Sequence, residues 1–569
     1  MCGILGGNNP DWDYQRGIEA MKHRGPDDMR ISHMDDFHLA FARLAIMDLS
    51  ANGMQPMFSD DGNVGLVYNG EIYGFQKLRR RLEDLGCSFR STSDTEVILN
   101  AYLQWGERFI TQIDGMYGMA VYDKRDGTVK LFRDRIGIKP LYYFYDGYHF
   151  AFSSELKGIE KLCSNISFRT DDTAVYDYLN YLYIPDPKTL YHNVYKLRAG
   201  HRLVFDIKKR KIVKDNAYWK LEINDRCGRQ RKTEDIICEL KELIAESVRE
   251  QMVADVPVGT FLSGGIDSSI ITYESSRINK NVETFSIGFT DSNCNETKYA
   301  VKVADKLGVP ANVRIFNHGI YKKIYNQMKV WYDEPFADTS AFPTYLVSGE
   351  ARDKVTVALT GDGGDELFGG YPRYELFLNK EKRGTDNLLV SFLYRNLRSG
   401  YASDSKWLDN MLFLSYRYAF PLCKTDREIR KALNIPGDYD RAWLIRKYYI
   451  KDLPPRTRTQ FIDLKTYLPG DILTKVDRTS MAVSLETRVP FLNKKIVAFA
   501  FSLSEEDRYL NGELKGLLKR AYLEELGKEV MYRRKMGFSI PSSYYCKELS
   551  PQEELLEKVW NMGKGKGLT

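Results

Sequence analysis

Cysteine at position 2 is the first residue that could do chemistry. Loss of Met1 would expose its α-amino group, with an ordinary pKa of about 8, within reach of its own thiol. One residue would then hold both nucleophile and base. Gly3 leaves room for main chain beside it, and Ile4-Leu5 can begin a strand. Alone, a cysteine here reads as an incidental small residue. Its company changes that. His23-Arg24-Gly25-Pro26-Asp27 is a polar turn, and Arg43 stands before the apolar run Leu44-Ala45-Ile46-Met47. Asn69-Gly70-Glu71-Ile72-Tyr73 follows a strand, and Ser93-Asp94-Thr95-Glu96 opens a helix with Ser93 or Asp94 as cap. A free amino acid needs partners of these kinds. A guanidinium clamps its carboxylate, and carboxylates hold its ammonium. An amide side chain with a neighbouring N–H steadies the oxyanion of a tetrahedral intermediate.

A second set of residues suits phosphate. Ser263-Gly264-Gly265-Ile266-Asp267-Ser268-Ser269 lies between an apolar strand and a helix. Glycines let the backbone approach an anion, while free N–H groups and the helix dipole hold it. Asp267 has no favourable contact with bare phosphate, so it implies a metal, and Mg²⁺ suits carboxylate plus phosphate oxygens. No Gly-Lys-Ser/Thr is present, so this is not a Walker A loop. Leu359-Thr360-Gly361-Asp362-Gly363-Gly364-Asp365-Glu366 ends another strand with a second acidic, glycine-rich loop. Two such loops at neighbouring strand ends could hold one cation between them. Lys475 and Arg478, three apart, can share a helix face. With Arg533-Arg534-Lys535 they could neutralise a leaving polyphosphate.

The elements that must position these residues fall into two sets. Residues 1 to about 200 carry short β-runs with turns: Val64 to Tyr68, Gly118 to Tyr122 and Tyr142 to Tyr145. Helical patterns at Phe75 to Leu85 and Glu96 to Trp105 interrupt them. This predicts α+β with much antiparallel sheet. The polar stretch 224–233 reads as a linker. After it, Ile236, Ile237, Leu240, Leu243, Ile244 and Val248 form one helical stripe. Strand and helix then alternate to Leu359, which predicts a parallel α/β sheet. Beyond about 375 the pattern turns helical and aromatic-rich. The expected domains are 1–222 and 234–569.

Composition narrows the class. Hydrophobic residues are 43% and charged residues 28%, as in ordinary globular chains. A net charge of +6, spread without blocks, gives no footing for nucleic acid. No apolar run is long enough for a membrane span, and no secretory leader is expected. Eight cysteines without a CxxC pair suit a reduced, cytoplasmic protein.

In this order, the motifs from Cys2 to about residue 190 resemble the class II glutamine amidotransferase domain. The resemblance implies an N-terminal-nucleophile αββα fold. It implies Cys2 as nucleophile, Asn69 and Gly70 as oxyanion hole, and Arg43 on the glutamine carboxylate. Glu71 and Asp94 would hold its ammonium, and the backbone of Arg43 to Met47 would line the pocket. Where that family usually has Asn after Asn-Gly-Glu-Ile-Tyr, Gly74 stands. The loop at 263–269 resembles the PP-loop of ATP pyrophosphatases. That implies ATP as substrate, bound by Leu262, Ser263, Gly264, Gly265, Asp267, Ser268, Ile287, Thr360 and Gly361. It also implies Mg²⁺ on Asp267 and Asp365, with Asp362 and Lys535 taking part in catalysis. Both halves together are similar to the glutamine-hydrolysing asparagine synthetase family, B type. The implied partners are glutamine, ATP and a carboxylate acceptor, aspartate by default. Relatives with the same loops amidate other carboxylates, such as diaminopimelate or uronic-acid sugars. By analogy Tyr371 and Arg373 would help form the acceptor pocket, an ammonia tunnel would cross the domain interface, and a homodimer is expected.

Overall fold

A computed structural model describes residues 1–34, 36–223, 231–290, 295–317, 319–375 and 430–533. The first part is built on two six-stranded antiparallel sheets. One has β1 (Gly3–Gly7) near its centre, between β9 (Phe150–Ser153) and β3 (His38–Arg43). β2 (Asp28–His33), β8 (Tyr142–Tyr145) and β10 (Val194–Lys196) complete it. The other runs β12 (Lys211–Ala217), β11 (His201–Asp206), β7 (Thr128–Arg133), β6 (Gly115–Asp123), β5 (Val64–Ile72), β4 (Met57–Phe58).

Side chains alternate across each strand, and on the central strands both faces are buried, while the edge strands β2 and β12 stay partly exposed. Ile4 of β1 and Val67 of β5 pack between the sheets with Leu39, Phe41, Ala120 and Leu131. Leu5 faces outward onto helices Tyr14–Glu19 and Leu156–Leu162, with Ile18, Leu156 and Ile159. Leu66 and Tyr68 face helices Phe75–Asp84 and Asp94–Trp105 through Leu78, Leu82, Val97 and Ile98. The layers are therefore αββα, the expected nucleophile fold. Asn69-Gly70-Glu71 lies inside β5, not beyond its end as the sequence suggested, because pairing with β6 continues to Ile72 opposite Gly115.

The second part opens with helix Thr233–Gln251, which buries Ile236, Leu240, Ile244 and Val248 as the stripe requires. Its sheet is parallel throughout: β15 (Ala311–Phe316), β14 (Glu283–Phe289), β13 (Val258–Phe261), β16 (Val357–Leu359), β17 (Glu486–Arg488). Helices predominate after residue 430 among the described residues. None of the described helices is long and apolar enough to cross a membrane.

The two parts share one apolar seam and one buried charge network. Met1, Leu44, Ile46, Met116, Ile136 and Ile138 pack in the same cluster as Ile244, Leu359, Val489 and Phe491. Beside it, Arg24 forks onto Asp477 at 2.8 and 3.0 Å and reaches Glu155 at 2.8 Å. Arg478 joins Glu155 at 2.8 Å and Asp333 at 3.2 Å. Arg24 is wholly buried, and its Nε also donates to the carbonyl of Cys2 at 3.2 Å. Replacing it would leave Glu155 and Asp477 short of a cation where water cannot substitute. Arg24→Ala should therefore cost about 3–5 kcal/mol, read as a lower chemical-denaturation midpoint.

Candidate active sites

β1 and β5 bring the first group of residues together. The backbone N–H of Cys2 donates to Asn69 Oδ1 at 3.0 Å. The N–H of Leu44 points to Cys2 Sγ at 3.5 Å. Burial pushes the Cys2 thiol up, against the pull of the nearby terminal ammonium. Asn69 is fully buried, and its Nδ2 has no hydrogen-bond partner. Such a donor costs free energy unless something arrives to accept from it. Gly70, next along β5, adds the main-chain position expected of an oxyanion hole.

Glu71 and Asp94 form a buried acidic corner beside them. Asp94 Oδ2 accepts from Tyr68 Oη at 2.8 Å and from the N–H of Ile72 at 2.9 Å. The helix cap is Ser93, whose Oγ accepts from Glu96 N, which leaves the Asp94 carboxylate for the pocket. Burial raises Asp94 to about 6 despite those hydrogen bonds, and raises Glu71 well above its ordinary value, with the charge of Asp94 adding to it. Met1 lies in this corner too: its ammonium is 3.0 Å from Glu486 of β17. Arg43 is buried, donating to the carbonyls of Asp48 and, at 2.8 Å, Ser50. Leu44 and Ile46 are buried, and the N–H of Ala45 is taken by Asp27 at 2.8 Å. Met47 is half-buried against the seam. Gly74 is left-handed (φ +61°), and a side chain there would meet Glu250 of the second part. Asn tolerates that conformation, but the neighbouring carboxylate leaves little space.

The second group surrounds a cavity of about 670 Å³ at the carboxyl ends of β13, β14 and β16. Leu262, Ser263, Gly265, Asp267, Ser268, Ile287, Thr360, Gly361, Asp362 and Asp365 all line it. Gly264 does not. Its left-handed turn (φ +73°) tucks it against the backbone of Tyr299, on a smaller cavity behind the loop. Gly265 caps helix Ile266–Ile278 without a side-chain acceptor. Ser263 and Ser268 hydroxyls meet at 3.1 Å and brace the loop. Thr360 Oγ1 donates to Asp362 at 2.7 Å, and burial pushes the Asp362 carboxyl up. Glu366, buried and beside Asp365, rises to about 7.

Lys475 lines the cavity, pairing with Asp338 at 3.0 Å. Arg478, one turn on, instead faces the interface network, so the two cations do not share a task. Arg533 lines the cavity and pairs with Glu296 at 2.6 Å. Arg534 and Lys535 lie outside the described residues. Tyr371 lines the cavity, whereas Arg373 stacks behind it and pairs with Asp463 at 2.8 Å.

Sequence reasoning missed Lys515. Its ammonium sits between Asp267 and Asp365, 2.5 Å from the latter, and the second carboxylate also accepts from it. A lone lysine in a turn carries no motif, so nothing flagged it. Its position shows that both acids converge on one cationic point, and two hard oxygen donors there fit a divalent ion.

The glutamine amidotransferase domain model matches residues 1–219, and the asparagine synthase model matches residues 239–564. The chain belongs to the asparagine synthase family. It is 32% identical to asparagine synthetase [glutamine-hydrolyzing] 1 of Bacillus subtilis, over 96% of this chain and 88% of that one. A Methanocaldococcus jannaschii relative is 36% identical over 86% of this chain and 100% of its own.

Two outcomes are expected. Lys515→Gln removes the ammonium that sits between Asp267 and Asp365. That variant should bind Mg²⁺ more tightly than the parent in the absence of nucleotide, by calorimetry, and its thermal midpoint should rise on adding the ion. In the first site, an ammonium ligand needs Asp94 ionised. Glutamine binding to Cys2→Ala should therefore weaken as pH falls through about 6, by calorimetry across that range.

Proposed function

We propose that this chain is a glutamine-dependent asparagine synthetase. The observation that carries the first half is Asn69: its Oδ1 holds the Cys2 main chain, and its buried Nδ2 donor has no partner. After loss of Met1, the Cys2 amine takes the thiol proton. Sγ adds to the side-chain amide of glutamine, and the oxyanion forms against Asn69 Nδ2 and Gly70 N–H. The proton returns to the leaving nitrogen. Ammonia departs, and water later frees glutamate from the thioester. Arg43 holds the substrate carboxylate, while Glu71 and Asp94 hold its ammonium.

In the larger cavity an acceptor carboxylate attacks the α-phosphorus of ATP, and pyrophosphate leaves. Ser263, Ser268 and the open N–H groups at the start of helix Ile266–Ile278 cradle the phosphates. Leu262, Ile287, Thr360 and Gly361 hold the nucleoside. Mg²⁺ held by Asp267 and Asp365 supplies charge neutralisation when bound. Lys515, and Lys535 from the family resemblance, meet the departing pyrophosphate. Ammonia then attacks the acyl carbon and AMP leaves; Asp362, which lines the same cavity, can take a proton from the attacking ammonia. The apolar seam between the sites supports an internal passage, since ammonia in a dry channel stays unprotonated. Aspartate is the acceptor that the family relationship favours.

Purified protein with Mg-ATP, glutamine and aspartate should release pyrophosphate, glutamate and asparagine in equal amounts. Asn69→Ala should lower glutamine-dependent turnover by about 10²–10³-fold and leave ammonium-dependent turnover intact. Pyrophosphate release that does not respond to aspartate would rule out this acceptor, and uronic acids and diaminopimelate would be assayed in its place.

A further inference from the structure

We infer that Arg488, a residue of the synthetase sheet, is a positioning residue for the glutamine pocket of the other domain. The inference rests on the function proposed above. Arg488 ends β17 and has no exposure. Three of its donor directions are spent inside its own domain. Nη1 donates to the carbonyls of Gln251 and Val253, each at 2.7 Å, and Nε donates to Glu486 at 2.7 Å. These contacts fix the plane of the guanidinium. Nη2 then points across the interface, 3.2 Å from Glu71 Oε2.

That last contact is an ion pair but not an aligned hydrogen bond, since Nη2 is buried without a hydrogen-bond partner. The distinction matters. A guanidinium that formed a bidentate clamp would occupy the carboxylate. One held slightly off line opposes the push of burial, Asp94 and Glu486 towards a neutral Glu71, yet leaves the carboxylate's lone pairs to a ligand ammonium. Without Arg488, the guanidinium nearest Glu71 would be gone, burial and two neighbouring carboxylates would act on it with less opposition, and the substrate ammonium would meet a weaker counter-charge. The backbone of Arg488 also belongs to the other site: its carbonyl accepts from the N–H of Thr360 at 2.9 Å. The same residue thus abuts the glutamine pocket by its side chain and the nucleotide loop by its main chain.

Arg488→Lys and Arg488→Gln in the full chain test this. The glutamine KM should rise roughly tenfold or more in Arg488→Gln, the scale of one charge-assisted contact. The kcat for glutamine and the ammonium-dependent release of pyrophosphate should stay near those of the parent. Arg488→Lys, which keeps the charge on a different stem, should recover part of the loss. A parallel fall in ammonium-dependent turnover in both variants would show a merely structural role and overturn the inference. Calorimetry on the same substitutions in a Cys2→Ala background separates the two readings. If Cys2→Ala binds glutamine and the Arg488 variants bind it equally well, the inference falls alone. If Cys2→Ala itself binds no glutamine, the reading of the pocket falls, and the inference with it.

Discussion

The Arg24 guanidinium has to satisfy four oxygens of three groups from distant parts of the chain: the Cys2 carbonyl, the Glu155 carboxylate and both oxygens of the Asp477 carboxylate. It does so with no exposure to water. Dehydrating such charges is costly unless every donor and acceptor is matched, so the arrangement tolerates little displacement. Its consequence is positional. The main chain of the proposed nucleophile is held on one side by Asn69 and on the other by a cation anchored in the second domain. Glu155 extends the same lattice to Arg478, His23 and Lys157. The domains are thus joined through charges that cannot be exchanged for water without moving Cys2.

The two sites solve opposite electrostatic problems. The acidic corner gathers Glu71 and Asp94 where burial disfavours their charge, so an arriving ammonium would relieve them, while Glu486 beside them is held ionised by the terminal ammonium and Arg488. The larger cavity, on the function proposed above, would accept a polyanion. It offers hydroxyls and main-chain N–H groups, and Lys515 compensates its two central carboxylates. Between them runs a stretch of aliphatic and aromatic side chains with little affinity for either ion.

Much of this was legible in the sequence because motif residues are local. Cys2, Asn69-Gly70-Glu71 and the 263–269 loop each occupy one strand end or one strand, so their spacing carried their meaning. The stripe from Ile236 to Val248 gave its helix for the same reason. Other features were hidden because they depend on distant partners. Lys515 gains its place from two aspartates far upstream. Arg478 reads like Lys475 on the same helix, yet packing sends it to the interface. Asn69-Gly70 has the composition of a turn, and only pairing with β6 carries the strand through it. Gly264 belongs to the phosphate motif, but its left-handed backbone turns it away from the cavity its neighbours line.

β17 is three residues long, arrives far downstream of β16, its one neighbour in the sheet among the described residues, and carries both Glu486 and Arg488. Chains emerge from the ribosome N-terminus first, and contacts of long sequence separation form late. The αββα layers can therefore close while the acidic corner still lacks the strand that supplies its guanidinium and its third carboxylate. A nascent chain in that interval would hold a cysteine and an oxyanion hole but an unfinished seat for the substrate's ammonium. On the function proposed above, that order would keep glutamine hydrolysis from running ahead of the ligase half that uses the ammonia.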